Sequence, residues 1–408
     1  MQDDYSVEHT KMFQYYLEII RESEKLYNSG SANVKRGLEI FDSEWPQIRP
    51  LLDRLLDFAV EDLNVAQLCW DFFEAGSGPY DLRMSFAERL GELKLAHAAA
   101  THHHQNRVAG RILRQIGWAQ YNLKDYEAAL SNIQSALAIS RECGDVLNEC
   151  KSFGALGSLQ REQGQYELAF EAHSNAVKLA EKAGNLKLVG EHLGNMGNDV
   201  RNLDRNQEAL SYYSQALEIH LKIGDRRSEG IRYGNMGLAC LNLGNNLEAK
   251  KYLQQALDIA NELDDDSNRL FNLGNLATAL ERLHDFKRAI ALFQSAITVA
   301  QSLNDSRYES FWLGKLGRLY LELKDFEAAE NFLHRALDIA VSIGDKRYEG
   351  THLSWLSDFF LATGQLQRAK DCLLRAVDLA KQLKIPSWVK RRNSKLARIE
   401  LLIKKENV

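Results

Sequence analysis

Residues 185–224 read NLKLVGEHLGNMGNDVRNLDRNQEALSYYSQALEIHLKIG. In the first half Leu188, Val189, Leu193, Met196, Val200 and Leu203 recur at helical spacing. In the second half Ala209, Leu210, Tyr213, Ala216, Leu217, Ile219 and Leu221 do the same. The segment is therefore a helical hairpin, and one hairpin alone cannot bury both of its apolar stripes. The flanking sequence supplies the cover by repetition. Ala209 shares its place with Ala129, Ala169, Ala249, Ala289, Ala329 and Ala369, and Ala216 with Ala136, Ala176, Ala256, Ala296, Ala336 and Ala376. A period of forty residues with no insertion or deletion marks a repeat array, in which each unit packs only on its neighbours.

Gly117, Gly157, Gly197, Gly237, Ala277, Gly317 and Ser357 form a third small column. Small residues let helices approach closely, so Gly197 is expected to face Ala209, while Ala216 admits the first helix of the next hairpin. Asp145, Asn185, Asp225, Asp265, Asp305 and Asp345 place an oxygen acceptor before each first helix, which is N-cap chemistry. Proline occurs only at positions 46, 50, 79 and 386, so the stretch between the last two is free of helix breakers. Charged residues at 26% and hydrophobic ones at 45% fit a folded chain with a long core and exclude a disordered one.

Numbered from Gly110, the small residues fall at places eight, twenty and twenty-seven of the hairpin. That spacing, with the segments LGNMGN, YGNMGL and LGNLAT, resembles the tetratricopeptide repeat (TPR) over residues 108 to 387. TPRs typically run to about 34 residues and close on a proline. The forty-residue form seen here, with its GD-like junction, resembles the repeats of the Pins/LGN, rapsyn and kinesin-light-chain type. The resemblance implies an all-α, right-handed TPR superhelix (α-solenoid) whose first helices line a concave, peptide-binding groove. About seven regular hairpins are expected over residues 106–385. A degenerate hairpin is expected over 57–105, because Ala96 precedes Ala136 by one period, with FAVEDLNVAQLCWDFFEA and YDLRMSFAERLGELKLAHAA as its helices. An N-terminal helical cap over 1–56, with Ser43 and Pro46 placed at a helix start, and a basic capping helix over 386–408 complete the chain.

On the TPR frame the groove is lined by places two, five, six, nine, twelve and thirteen. Asn195, Asn235 and Asn275 form a ladder at the sixth place, and an amide can pair with a ligand backbone or with a neighbouring helix. Asn198, Arg161, Arg201, Arg282, Lys315 and Arg318 supply polar and cationic contacts; Phe271, Phe311 and Trp355 supply apolar anchors or pack between hairpins. Arg111, Arg114, Gln115, Trp118, Lys151 and Glu191 share the same face. Cations outnumber acids there, so an acidic ligand segment is expected on the first three repeats and an amphipathic helix or apolar anchors on the later ones. Gly154, Gly194, Gly234, Gly274 and Gly314 at the fifth place have two readings: close approach of a partner backbone, or crowding between neighbouring first helices.

Chemistry has no carrier in this sequence. No segment matches GxxxxGK[ST], HExxH, GxSxG or a GxGxxG after a strand, and His102, His103 and His104 are adjacent in a junction where they cannot readily converge on one metal. No cofactor or metal is expected. Cys69, Cys143, Cys150, Cys240 and Cys372 show no CxxC spacing and read as reduced thiols. The start MQDDYSVEHT lacks a signal pattern and no apolar run reaches membrane length, so the expected location is cytoplasmic. The net charge of −5 is uneven: from Lys381 onward nine basic residues face Glu400 and Glu406. The expected function is a non-catalytic adaptor or scaffold holding an acidic peptide or helical segment of a partner protein in its concave groove. A regulatory subunit controlling an effector or NTPase is the alternative, and nucleic-acid or anionic-membrane association through the basic tail is an alternative of another class.

Overall fold

The computed structural model describes residues 3–28, 31–75, 80 and 84–406. Among them there are nineteen helices and no strand. The first four are α1 (Asp3–Asn28), α2 (Ser31–Phe58), α3 (Leu63–Ala75) and α4 (Phe86–His102). Then follow α5 (Asn106–Asn122), α6 (Tyr126–Glu142), α7 (Val146–Glu162), α8 (Tyr166–Lys182), α9 (Leu186–Asn202), α10 (Asn206–Ile223), α11 (Arg226–Leu243) and α12 (Asn246–Glu262). The last are α13 (Asp266–Arg282), α14 (Phe286–Ser302), α15 (Ser306–Glu322), α16 (Phe326–Ser342), α17 (Lys346–Ala362), α18 (Leu366–Gln382) and α19 (Pro386–Glu406). The chain forms two compact units: Met1–Leu243 with Glu262–Asp264, and Gly244–Asn261 with Asp265–Val408. In the first, α4 to α11 stack in sequence order; in the second, α13 to α19 do. Each is a stack of TPR-like hairpins.

From α5 onward a helix starts every twenty residues, half the repeat read from the alanines. The reason is a three-residue junction with one residue in the left-handed region. Gly144, Gly184 and Gly344 take that role between repeats, and Lys124, Asp204, His284 and Lys324 take it within them. The next residue closes a Schellman pattern: the Asp145 N–H donates to the Ser140 carbonyl at 2.8 Å and the Asp325 N–H to that of Tyr320 at 3.0 Å. The same aspartates then cap the following helix, Asp145 Oδ1 accepting from the Asn148 N–H and Asp325 Oδ1 from the Ala328 N–H, both at 3.1 Å. One residue ends a helix and begins the next. All six expected caps, Asp145, Asn185, Asp225, Asp265, Asp305 and Asp345, accept such a bond. Asp125 and Asp285 add the same device at second helices.

Both alanine columns are buried throughout. The small column before them takes different partners from those expected. A Cβ on Gly197 would lie 2.5 Å from the Tyr213 ring rather than against Ala209, and one on Gly157 or Gly317 would strike His173 or Leu333. At Gly117 the neighbours are Ile133 and the Ala129 carbonyl. The second-helix residue sixteen places on is the knob, so the glycine makes room for a large side chain.

The glycines at the fifth place obey the same logic between repeats, and the reading of them as a partner's approach path is overturned. A Cβ on Gly154 would lie 2.5 Å from His192, and one on Gly314 2.6 Å from His352. Gly194 and Gly274 are closer still to Arg232 and Trp312. Each knob stands at the third place of the next first helix. Where the fifth place carries a large residue, Arg114, the knob that follows is small, Ser152.

Ahead of the repeats, Phe13, Phe41, Trp45, Phe72, Phe73 and Tyr80 form an aromatic core, with Phe41 stacked on Trp45 at 5.1 Å. α2 runs unbroken through Pro46 and Pro50, so no helix starts at Ser43, whose hydroxyl donates back to the Ile40 carbonyl at 2.9 Å. Phe41, Ile48, Leu52 and Leu55 lie on both sides of the prolines and are all buried; that continuous face outweighs the lost backbone bonds. The degenerate hairpin's helices begin later than its sequence implies, the second opening on a capping box between Ser85 and Glu88.

Two outcomes check this packing. Lys324→Gly removes a side chain from the left-handed region and raises stability in urea by about 0.5–1 kcal/mol. Gly274→Ala destabilises by about 1–3 kcal/mol against Trp312. In a Trp312→Ser background the same change becomes neutral or stabilising, as helix propensity then decides. Equal costs in both backgrounds would refute the knob.

Candidate functional site

Each unit carries a polar cleft on its first-helix side. In the first unit a cleft of about 490 Å³ opens between α3, α4, α5, α7 and α9. Arg89, Arg111, Arg114 and Lys151 line it, facing Glu74, Asp145 and Glu191, with Phe73, Trp118 and Leu147 as its apolar part. Arg111 bridges two of the acids, Asp145 at 2.7 Å and Glu74 at 2.9 Å, so a cap residue also anchors a groove cation. Arg114 donates to Asn148 at 2.9 Å and Arg89 to Gln115 at 3.0 Å. Burial pushes both guanidiniums down to about 10, and each also feels a like-charged neighbour. The acids nearly balance the cations here.

Beneath this cleft lies a closed polar cluster. Asp199 and His173 are fully buried, 3.8 Å apart, and His173 stacks on His192 at 5.8 Å. Arg161 reaches in from the preceding repeat, donating to Asp199 at 3.3 Å and to Asn195 at 3.4 Å. Burial pushes the Asp199 carboxyl up to about 7, and drives His173 well below its ordinary value and His192 down to about 4. The histidines are therefore neutral, packed knobs.

In the second unit a cleft of about 450 Å³ is lined by Lys315, Arg318, Thr351, Ser354, Trp355, Asp358, Trp388, Arg391, Arg392 and Lys395. Five cations face a single acid. α15 and α17 form one wall and α19 the other, because α19 continues the twenty-residue frame: Arg391 and Lys395 stand at places two and six, where α5 carries Arg111 and Gln115. Lys395 pairs with Asp358 at 2.5 Å and donates to the Ser354 carbonyl at 2.9 Å. Lys315 lies 3.8 Å from Glu281, and burial lowers its ammonium to about 8. Arg392 is buried, bonded to the Ala376 carbonyl at 2.8 Å and set 4.8 Å over the Trp388 ring; Arg318 sits 5.4 Å over Trp355. Among the described residues no carboxylate pairs with Arg318, Arg391 or Arg392.

The residues expected to bind are only partly brought together. Lys315, Arg318 and Trp355 meet in the second cleft, and Asn195 lines the first. The asparagine ladder is not uniform: Asn195 accepts from Arg161, Asn235 is half-buried on α11, and Asn275 is buried and donates to the Phe271 carbonyl of its own helix at 2.9 Å. Arg201 and Asn198 both bond the Tyr213 hydroxyl, tying α9 to α10. Phe311 packs among Trp312, Tyr348 and Trp355, within a repeat-to-repeat aromatic stack. Phe271 is half-buried and Arg282 exposed on α13. The larger cation excess lies in the second cleft, where three of the five cations stand on α19, beyond the seven repeats. Arg89, Trp388, Arg391, Arg392 and Lys395 were absent from the expected groove. Extending the period one step past residue 385 would have found Arg391 and Lys395, at places two and six, but not Trp388 or Arg392.

The sequence matches the family described as tetratricopeptide repeat over residues 147–222, 188–262, 228–302, 266–342 and 308–382, more than half of the chain. Residues 101–153 match a family described as anaphase-promoting complex subunit 5. No curated protein matches the sequence. Among solved structures, the apo form of the quorum sensor NprR from B. thuringiensis is similar at a TM-score of 0.61 and 15% identity, over 85% of this chain and 99% of that one. Aspartyl phosphate phosphatase F from Bacillus subtilis is similar at 0.58 and 15%, over 89% and 93%. A signal-transduction ATPase with a tetratricopeptide repeat sensor from Pyrococcus horikoshii is similar at 0.58 and 17%, over 84% of this chain and 54% of that one. These likenesses establish the fold.

The buried carboxyl gives the first unit a pH signature. The unfolded chain releases the Asp199 proton near pH 4 while the folded chain keeps it to about 7, so this residue's contribution to stability falls as pH rises through that window. Asp199→Asn is expected to stabilise the protein at pH 8 by roughly 1–3 kcal/mol more than at pH 4. Urea titrations at the two values check it, and a pH-independent difference would disprove the buried-acid assignment.

Proposed function

The chain belongs to the tetratricopeptide repeat family, and from that premise we propose that it is a non-catalytic interaction module, an adaptor or regulator, that holds an acidic segment of a partner protein in the cleft of the second unit. One observation carries this reading: Arg318, Arg391 and Arg392 converge on that cleft with no carboxylate partner among the described residues, beside the internally paired Lys315 and Lys395. Such an excess costs folding stability through like-charge repulsion and is relieved when an anion binds. Exposed Arg318 and Arg391 supply the forks that bind carboxylates in bidentate fashion.

The same site argues against nucleic acid. Single strands bind on exposed aromatic faces, whereas Trp388 carries Arg347 at 5.5 Å and Arg392 at 4.8 Å, and Trp355 is flanked by Arg318, His352 and Phe311. No described helix is long and apolar enough to cross a bilayer.

Fluorescence anisotropy with a short labelled glutamate-rich peptide tests the proposal. The wild-type chain is expected to bind it, more weakly as salt rises. Charge reversal at Arg318→Glu with Arg391→Glu is expected to weaken binding by roughly tenfold or more, about 1.4 kcal/mol, with helicity unchanged by circular dichroism. Equal binding of a neutral peptide, or indifference to charge reversal, would defeat it.

A further inference from the structure

We infer that the group taken by the second-unit cleft is a phosphoryl group: the partner docks through a phosphorylated serine or threonine side chain. This rests on the acidic-segment reading of the same cleft and narrows it.

Charge comes first. Lys395 is neutralised by Asp358 and Lys315 lies beside Glu281, which leaves the guanidiniums of Arg318, Arg391 and Arg392 around one opening. One carboxylate would offset a single positive charge. A phosphomonoester brings about −1.5 to −2 at neutral pH and three strong acceptor oxygens, so it offsets more of the three positive charges than a carboxylate does and offers an oxygen to each guanidinium.

Geometry agrees. Two of the three guanidiniums lie over tryptophan rings, Arg318 on Trp355 and Arg392 on Trp388, so their planes are held before any ligand arrives. A planar fork fixed in this way loses little side-chain entropy on binding and suits the spread oxygens of phosphate. Ser354 and Thr351 add neutral hydroxyl residues to the lining. Burial and the nearby charge of Arg391 hold Arg392 below its ordinary range, a penalty that a dianion alongside would lift.

A side chain on a protein is the fitting source. The cleft of about 450 Å³ is wider than a lone phosphate and has room for the flanking backbone, while the covered tryptophan faces leave no platform for a nucleobase.

The test uses the full chain and three labelled peptides identical except for a central phosphoserine, glutamate or serine. The phosphoserine peptide is expected to bind roughly tenfold tighter than the glutamate peptide, and the serine peptide not at all. Arg318→Ala with Arg391→Ala, both at exposed positions, should abolish that preference, while Lys182→Ala, exposed on the first unit and outside both clefts, leaves it intact. Equal binding of the glutamate and phosphoserine peptides would overturn the phosphoryl inference and leave the acidic-segment reading standing. Binding of neither would overturn both. Displacement of the peptide by free phosphoserine or inorganic phosphate at concentrations matching the peptide's own affinity would replace the protein partner with a small phosphate. Competition by a single-stranded oligonucleotide that depends on the same two arginines would replace it with nucleic acid.

Discussion

The three-residue junction governs everything else in this protein. Because the residue that closes one helix also caps the next, as Asp145 and Asp325 do, the chain has no slack between elements, and each hairpin advances by the same forty residues. One inserted residue would rotate all that follows by about 100° and turn the alanine columns away from the core. The functional consequence lies at the far end of the frame. Arg391 and Lys395 face a cleft because α19 begins on the same beat as the first helices before it, and its basic residues inherit groove places.

What could be read from the sequence follows from what the physics makes unambiguous. Alanine repeated at two places, all buried, has few explanations other than helix contact, and the aspartates before the first helices meet backbone donors of the first turn. The junctions within hairpins were hidden because Lys124, Asp204, His284 and Lys324 occupy left-handed positions where glycine would have announced them. Pro46 and Pro50 concealed the continuity of α2, since local propensity says nothing about the buried face that Phe41, Ile48 and Leu52 share across them.

The clefts were legible in part for a related reason. A column of glycines reveals a vacancy without naming what fills it; the occupants, His192, Arg232, Trp312 and His352, lie thirty-eight residues downstream and look like unrelated polar and aromatic residues. Groove cations were found by place, but their pairing was not, because Arg111 spends its charge on a cap and on Glu74 while Arg318 lies over a ring. Asn275 kept the right place and turned its amide to its own helix. The basic C-terminal segment misled most, as a charge total does not say which cations share a face.

Two places where like charges or bare polar groups are crowded together resolve the crowding in opposite ways. Asp199 and His173 are sealed from water, and burial leaves the acid protonated up to about pH 7 and the imidazole neutral, so the cluster discharges itself and serves packing. Arg318 and Arg391 are open to solvent with no carboxylate partner among the described residues, and Arg392 beside them is tethered to a backbone carbonyl. A sealed cluster lowers its energy by losing charge, whereas an open one can do so only by gaining a counter-charge from outside. That difference in access is why the second cleft, and not the more deeply set polar cluster of the first unit, is the place to seek a partner.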